Sequence, residues 1–146
     1  MYVKIINQLN RLITVFVYVT YPIVLLTLIY TRDERLLRAL LTPSISFVLV
    51  SIFRRYINAP RPYEVSSTVP IIKKDTKGKS FPSRHVFSAF VVATTVYFIY
   101  SPLGILLMFI GCILAVLRVL GGVHFPRDVI AGAIIGILSG ILGFYF

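Results

Sequence analysis

The sequence predicts an all-α fold, a polytopic transmembrane bundle of about five helices, and two observations carry the prediction. The first is composition: 58% of the 146 residues are hydrophobic and 14% are charged, against about 25% charged in soluble domains. The second is arrangement. The apolar residues fall in uncharged runs long enough to cross about 30 Å of hydrocarbon, separated by turns rich in charge, proline or glycine. In lipid, a chain punctuated this way satisfies its backbone groups as helices. Residues 1–146 are read as a single integral-membrane domain.

The first span is Leu12 to Tyr30, 19 residues without a charge. Lys4 and Arg11 ahead of it resemble the start of a signal peptide, but the run is too long and no small-residue cleavage site closes it, so it is read as a retained helix. The charged turn Thr31–Arg35 leads into a second span, Leu36 to Phe53, in which Arg38 is placed to snorkel to the interface. Val86 to Leu117 is uncharged for 32 residues, which as one helix would reach about 48 Å. It must fold back, and Ser101-Pro102-Leu103-Gly104 supplies the break. The last span runs from about Asp128 to Phe146, with Gly132, Gly136 and Gly140 on one face for close helix packing inside the bundle.

One connection is long: Arg54 to Arg84 is basic and carries Pro60, Pro62, Pro70 and Pro82. Loops of this length in a compact domain are functional or disordered. Five spans put it on the same side of the membrane as Arg118–Asp128 and the N-terminus.

Fifteen Lys and Arg against five acidic residues give a net charge of +10, and such a balance calls for an anionic partner. The cations lie in short clusters between apolar runs, which excludes the broad stripe that tracks a nucleic-acid backbone. A phosphorylated lipid, with membrane lipid around it, is the expected partner. Cys112, alone in an apolar run, is a small buried hydrophobe and forms no internal disulfide.

His85 and His124, the two histidines, both lie at membrane boundaries among arginines and prolines. Asp128 follows His124 by four residues at a helix start, where its carboxylate can orient the imidazole and stabilise its cationic form. Arg54, Arg61, Arg84 and Arg118 bracket the histidines, and their forked donors match phosphate oxygens. One boundary arginine would mean topology or anchoring; four converging on one face describe a phosphoryl site. Two histidines 39 residues apart with few carboxylates do not make a metal ligand set, so no metal and no cofactor is expected. A serine hydrolase built on Ser83, His85 and Asp128 is the competing arrangement, but it lacks a G-x-S-x-G elbow. Arg55, Lys73, Lys74, Lys77 and Lys79 are read as solvated or headgroup-facing charge.

These residues resemble the type 2 phosphatidic acid phosphatase (PAP2) superfamily, whose motifs are K-x6-R-P, P-S-G-H and S-R-x5-H-x3-D. They stand here in order as Arg54 with Arg61-Pro62, as Pro82-Ser83-Arg84-His85, and as Leu117-Arg118 with His124 and Asp128. The resemblance covers about Ile45 to Phe146. Arg54 replaces a lysine and keeps a cation, Arg84 replaces a glycine and adds a guanidinium, and Leu117 replaces a serine and loses a hydroxyl.

The resemblance implies a metal-independent phosphatase of a lipid phosphate, such as phosphatidic acid, or of a polyprenyl diphosphate, such as undecaprenyl diphosphate. His124 would be the nucleophile, giving a phosphohistidine, with Asp128 on its other ring nitrogen and His85 as general acid and then base. Arg54, Arg61, Ser83, Arg84 and Arg118 would bind the phosphoryl oxygens. The family usually has six helices, one more than the five read here. The alternative is a non-catalytic protein that binds phospholipid headgroups, for which the His124–Asp128 pair has no use; vanadate chemistry, as in the related haloperoxidases, does not suit an embedded chain. Family practice implies a plasma-membrane protein with an extracytoplasmic site, whereas the positive-inside rule would put the basic loops in the cytoplasm.

Overall fold

The computed structural model describes residues 1–146 and is helical throughout its ordered elements: α1 (Tyr2–Thr31), α2 (Leu36–Ile57), the four-residue α3 (Pro62–Val65), α4 (Arg84–Ile99), α5 (Ser101–Leu120) and α6 (Pro126–Tyr145). The five long helices are the bundle that the apolar runs predict. Helix α1 begins ten residues before Leu12, so Lys4 and Arg11 lie on it. The break after α4 falls at Tyr100, whose extended backbone (φ −145°) caps one helix and starts the next. Pro102 then sits in the first turn of α5, where a missing N–H is harmless.

Helix α4 is the axis. It packs most extensively on α6 and α5, and also touches α1 and α2. Eleven consecutive residues, Val86 to Val96, are buried, as a helix apolar on all sides requires. Its 16 residues reach about 24 Å, short of a full span, while the other four long helices are long and apolar enough to cross a membrane. By contrast α1 is peripheral: it buries Ile6, Val17 and Leu28, eleven residues apart, a spacing that returns to the same stripe every three turns. The outward faces are apolar, with Leu12, Leu26, Leu37, Phe109 and Leu142 all exposed, a surface suited to lipid.

The glycine face of α6 explains why it lies so close to α4. A Cβ on Gly132 would come within 2.7 Å of the Ser83 carbonyl oxygen, and one on Gly136 within 2.7 Å of the Phe87 carbonyl oxygen. Gly140 faces Thr94 in the same way. The face therefore packs inside the bundle, and it sets the distance between the helices that carry His85 and Asp128.

At the opposite end, arginines close the helix termini. The Arg38 guanidinium donates to the Phe144 carbonyl at 2.5 Å, at the end of α6. Arg35, paired with Asp33 at 2.6 Å, donates to the Phe98 carbonyl at 3.1 Å. Cations on otherwise orphaned carbonyls match the negative end of the helix dipole. Arg38 thus reaches the end of the bundle opposite the site.

Candidate active site

The long connection folds across the bundle end by giving its own carbonyls to motif arginines. Arg54, in the last turn of α2, donates to the Lys79 carbonyl. Arg61 donates through Nε to the Gly78 carbonyl and through Nη1 to the Val123 carbonyl, both at 3.0 Å. Glu64 completes the clasp by accepting the Arg61 and Gly78 amides at 2.8 and 2.9 Å. The Ser80 amide donates to the Ala59 carbonyl at 2.9 Å, and the Ser83 amide to the Asp128 carbonyl at 2.8 Å. The connection is therefore an ordered strap, and the start of α4 is tied to the start of α6.

His124 sits in the turn between α5 and α6, after Gly122, whose φ of +72° suits a residue without a side chain. Asp128 lies in the first turn of α6, fully buried. Its Oδ2 accepts the Ser80 hydroxyl at 2.5 Å and the Phe125 amide at 3.0 Å, and lies 3.6 Å from His124 Nδ1. The Ser80 hydroxyl is itself 3.4 Å from that nitrogen. With Nδ1 turned to the carboxylate, Nε2 is the ring nitrogen left to face the cavity that His124 lines. Burial, with Arg61 and Arg118 adding to it, outweighs the Asp128 hydrogen bond and lowers the His124 pKa to about 4. The imidazole is neutral at physiological pH, as a nucleophile must be.

The cavity has a volume of about 370 Å³ and no hydrophobic residue in its wall. Beside His85 and His124 it is lined by Arg54, Arg55, Arg61, Lys74, Lys77, Lys79 and Arg84, with Ser51, Thr76 and Gly78. Seven cations face it and no carboxylate does. That charge belongs to an anion, and it leaves no acidic side chain for a divalent cation that prefers oxygen ligands.

The structure thus brings Arg54, Arg61, Arg84, His85 and His124 to one wall. Asp128, Ser83 and Arg118 stand behind it, all buried, the Ser83 hydroxyl and Arg118 Nε without hydrogen-bond partners. Arg84 is exposed and lies over the Phe47 ring at 5.4 Å. Sequence reasoning missed two things. Ser80 stands outside all three motifs, and nothing in its spacing betrays the contact with Asp128. Of the residues read as solvated charge, Arg55, Lys77 and Lys79 are exposed as expected but border the cavity, whereas Lys74 is half-buried in its wall, because the strap turns that side chain inward. Burial and the nearby arginines lower the Lys74 pKa to about 8.

The sequence pattern of the PAP2 superfamily matches residues 35–146. Among proteins of known identity, the chain is 27% identical over 134 residues to the bacitracin transport permease protein BcrC of Bacillus licheniformis, covering 88% of this chain and 66% of that one. It is 25% identical over 147 residues to the undecaprenyl-diphosphatase BcrC of Bacillus subtilis strain 168, covering 98% of this chain and 76% of that one. The chain therefore spans just under two thirds of the first relative and about three quarters of the second. Among solved structures, LpxE of Aquifex aeolicus superposes with a TM-score of 0.76 at 28% identity, covering 99% of this chain and 93% of that one.

Proposed function

The chain belongs to the PAP2 superfamily, and from that premise we propose that this integral membrane protein is a phosphatase of lipid phosphates or polyprenyl diphosphates, working without a metal through a phosphohistidine. The observation that carries the reading is the pairing of a buried, neutral His124, backed by Asp128, with a cavity whose charged lining is cationic throughout.

His124 Nε2 attacks phosphorus in line, and the carboxylate of Asp128 faces the ring as it becomes cationic. Arg54, Arg61 and Arg84 meet the equatorial oxygens, where fixed cations in a partly enclosed site stabilise the spreading charge. Arg61 and Arg54 are already held by carbonyls of the strap, so their heads are set before substrate arrives. Arg118 adds positive potential from behind the wall, and Ser83 serves through the amide that ties α4 to Asp128. His85, in the first turn of α4 and on the cavity wall, protonates the leaving oxygen where that is an alkoxide, and takes the proton of the water that hydrolyses the intermediate. General acid–base help of this kind is worth roughly 10² to 10⁴ in rate.

The substrate follows from the two halves of the molecule: a cationic cavity at the bundle end for phosphate, and an apolar exterior for the tail. The B. subtilis relative, named an undecaprenyl-diphosphatase, favours a polyprenyl diphosphate among the candidates. The site faces the extracytoplasmic side of the plasma membrane in this reading, where its arginines serve chemistry and not topology.

The test is phosphate release by detergent-purified protein, in chelator, from phosphatidic acid, phosphatidylglycerol phosphate and undecaprenyl diphosphate, beside His124→Ala. Release that survives chelation and falls to background in the variant supports the proposal. Folded protein that releases phosphate from none of them overturns it in favour of headgroup binding.

A further inference from the structure

The strap that closes the cavity is pinned at three places, and Lys74 lies between two of them. Upstream, Ile72 is buried against Leu117 and Val123, its amide donates to the Gly121 carbonyl at 3.2 Å, and Asn7 of α1 donates to the Ile71 carbonyl at 2.9 Å. In the middle, the Tyr63 hydroxyl donates to the Thr76 carbonyl. Downstream, Gly78 and Lys79 are held by Glu64, Arg61 and Arg54 as described above. A loop fixed this closely presents Lys74 from a preorganised backbone, so little loop ordering remains to be done on binding.

Lys74 has no acidic partner. It makes no salt bridge, it is half-buried, and the charges around it are Arg61, Arg118, Arg54 and Arg84. It lines the same cavity as His85. A cation held among cations is unfavourable until an anion arrives. The motif arginines already supply donors for one phosphoryl group beside His124, so the charge of Lys74 is surplus to a phosphate monoester.

We infer that Lys74 binds the second phosphate of a diphosphate substrate, on the leaving-group side beside His85, and so makes the site prefer a diphosphate over a monophosphate. The inference rests on the proposed phosphatase reading. In the reaction, the His124 Nε2 lone pair forms the N–P bond to the terminal phosphorus. The bond from that phosphorus to the bridging oxygen breaks, and its electron pair leaves on the oxygen as part of the lipid monophosphate. That oxygen belongs to a phosphate, whose charge is delocalised, so an ammonium can stabilise it where an alkoxide would need a proton. Water then attacks the phosphohistidine, His85 takes its proton, the N–P bond breaks, and orthophosphate leaves. The balance is lipid diphosphate plus water giving lipid monophosphate, orthophosphate and a proton, the last passing from His85 to solvent.

The experiment compares wild type with Lys74→Met, Lys74→Arg and Lys73→Met, the last altering an exposed neighbour that does not line the cavity. It measures kcat/KM for a prenyl diphosphate and a prenyl monophosphate of one chain length, and the affinity of each detergent-purified protein for inorganic pyrophosphate and orthophosphate. Loss of a hydrogen bond to a charged group predicts a drop of about 10- to 100-fold for the diphosphate and for pyrophosphate in Lys74→Met. The loss should be at least tenfold smaller for the monophosphate and orthophosphate, largely restored in Lys74→Arg, and absent in Lys73→Met. Equal losses for both anions, or no loss, would overturn the inference. If no lipid is hydrolysed but pyrophosphate binding is selectively lost in Lys74→Met, the phosphatase reading fails and the diphosphate subsite stands.

Discussion

Asp128→Asn separates the charge behind His124 from the shape of its surroundings. The Ser80 hydroxyl and the Phe125 amide both donate to Oδ2, and an asparagine with its carbonyl oxygen in that position keeps both. Its amide nitrogen falls where Oδ1 lacks a hydrogen-bond partner and has only the exposed Arg127 Nε at 3.6 Å, a contact that adds little, so the structural cost is at most about 1–3 kcal/mol. What is lost is a negative charge 3.6 Å from Nδ1. When Nε2 bonds to phosphorus the ring becomes cationic, and at that distance, with an effective dielectric near 20, the carboxylate favours the cation by about 4–5 kcal/mol. At about 1.4 kcal/mol per factor of ten, kcat/KM should fall by about 10³. Loss of control over the tautomer acts in the same direction. The assay is steady-state phosphate release, with a thermal melt in detergent to show that the variant is folded. A folded Asp128→Asn protein that keeps more than about a tenth of wild-type kcat/KM would refute the role given to this charge.

Four further outcomes are expected. The His124 pKa is lowered to about 4, so the neutral nucleophile persists down to that pH and the acid limb of kcat/KM lies near pH 4; because the unfolded imidazole binds its proton near pH 6.5, stability is also lost as pH falls from there toward 4. Lys74, lowered to about 8, discharges above that pH and should set an alkaline limb for a diphosphate substrate that is missing in Lys74→Met; a pH–rate profile from 3.5 to 10 reads both limbs. Gly136→Ala puts a Cβ 2.7 Å from the Phe87 carbonyl oxygen and 2.9 Å from the Val91 amide nitrogen, backbone atoms that cannot step aside. It should destabilise by about 1–3 kcal/mol, and a melt unchanged from wild type would show that α6 and α4 do not pack this closely in detergent. A reporter fused after Phe146, at the end opposite the site, should report the cytoplasm, and an extracytoplasmic signal would reverse the proposed orientation.

Much of the architecture was legible because lipid imposes a length on each apolar run. Leu36–Phe53 and the fold-back within Val86–Leu117 became α2, α4 and α5 for that reason. The helix boundaries that slipped, α1 starting at Tyr2 and the break at Tyr100, depend on local backbone geometry that hydropathy does not register. Of the site, Arg54, Arg61, Arg84, His85 and His124 were found together because their spacing keeps them at helix ends on one side of the bundle. Ser80 was invisible, since it reaches Asp128 from 48 residues away through the path of the strap.

By itself, then, the amino-acid order determined a helical membrane protein with two histidines, a carboxylate and a set of arginines on one face, because period, run length and charge are local properties. The tertiary structure alone decided which of those cations face the cavity. Lys74 reads in sequence as solvated charge and Arg118 as a phosphate ligand, yet the strap turns Lys74 inward while α5 holds Arg118 behind the wall. That choice is made by long-range carbonyl contacts and by glycine-sized gaps between helices, which no window of sequence contains.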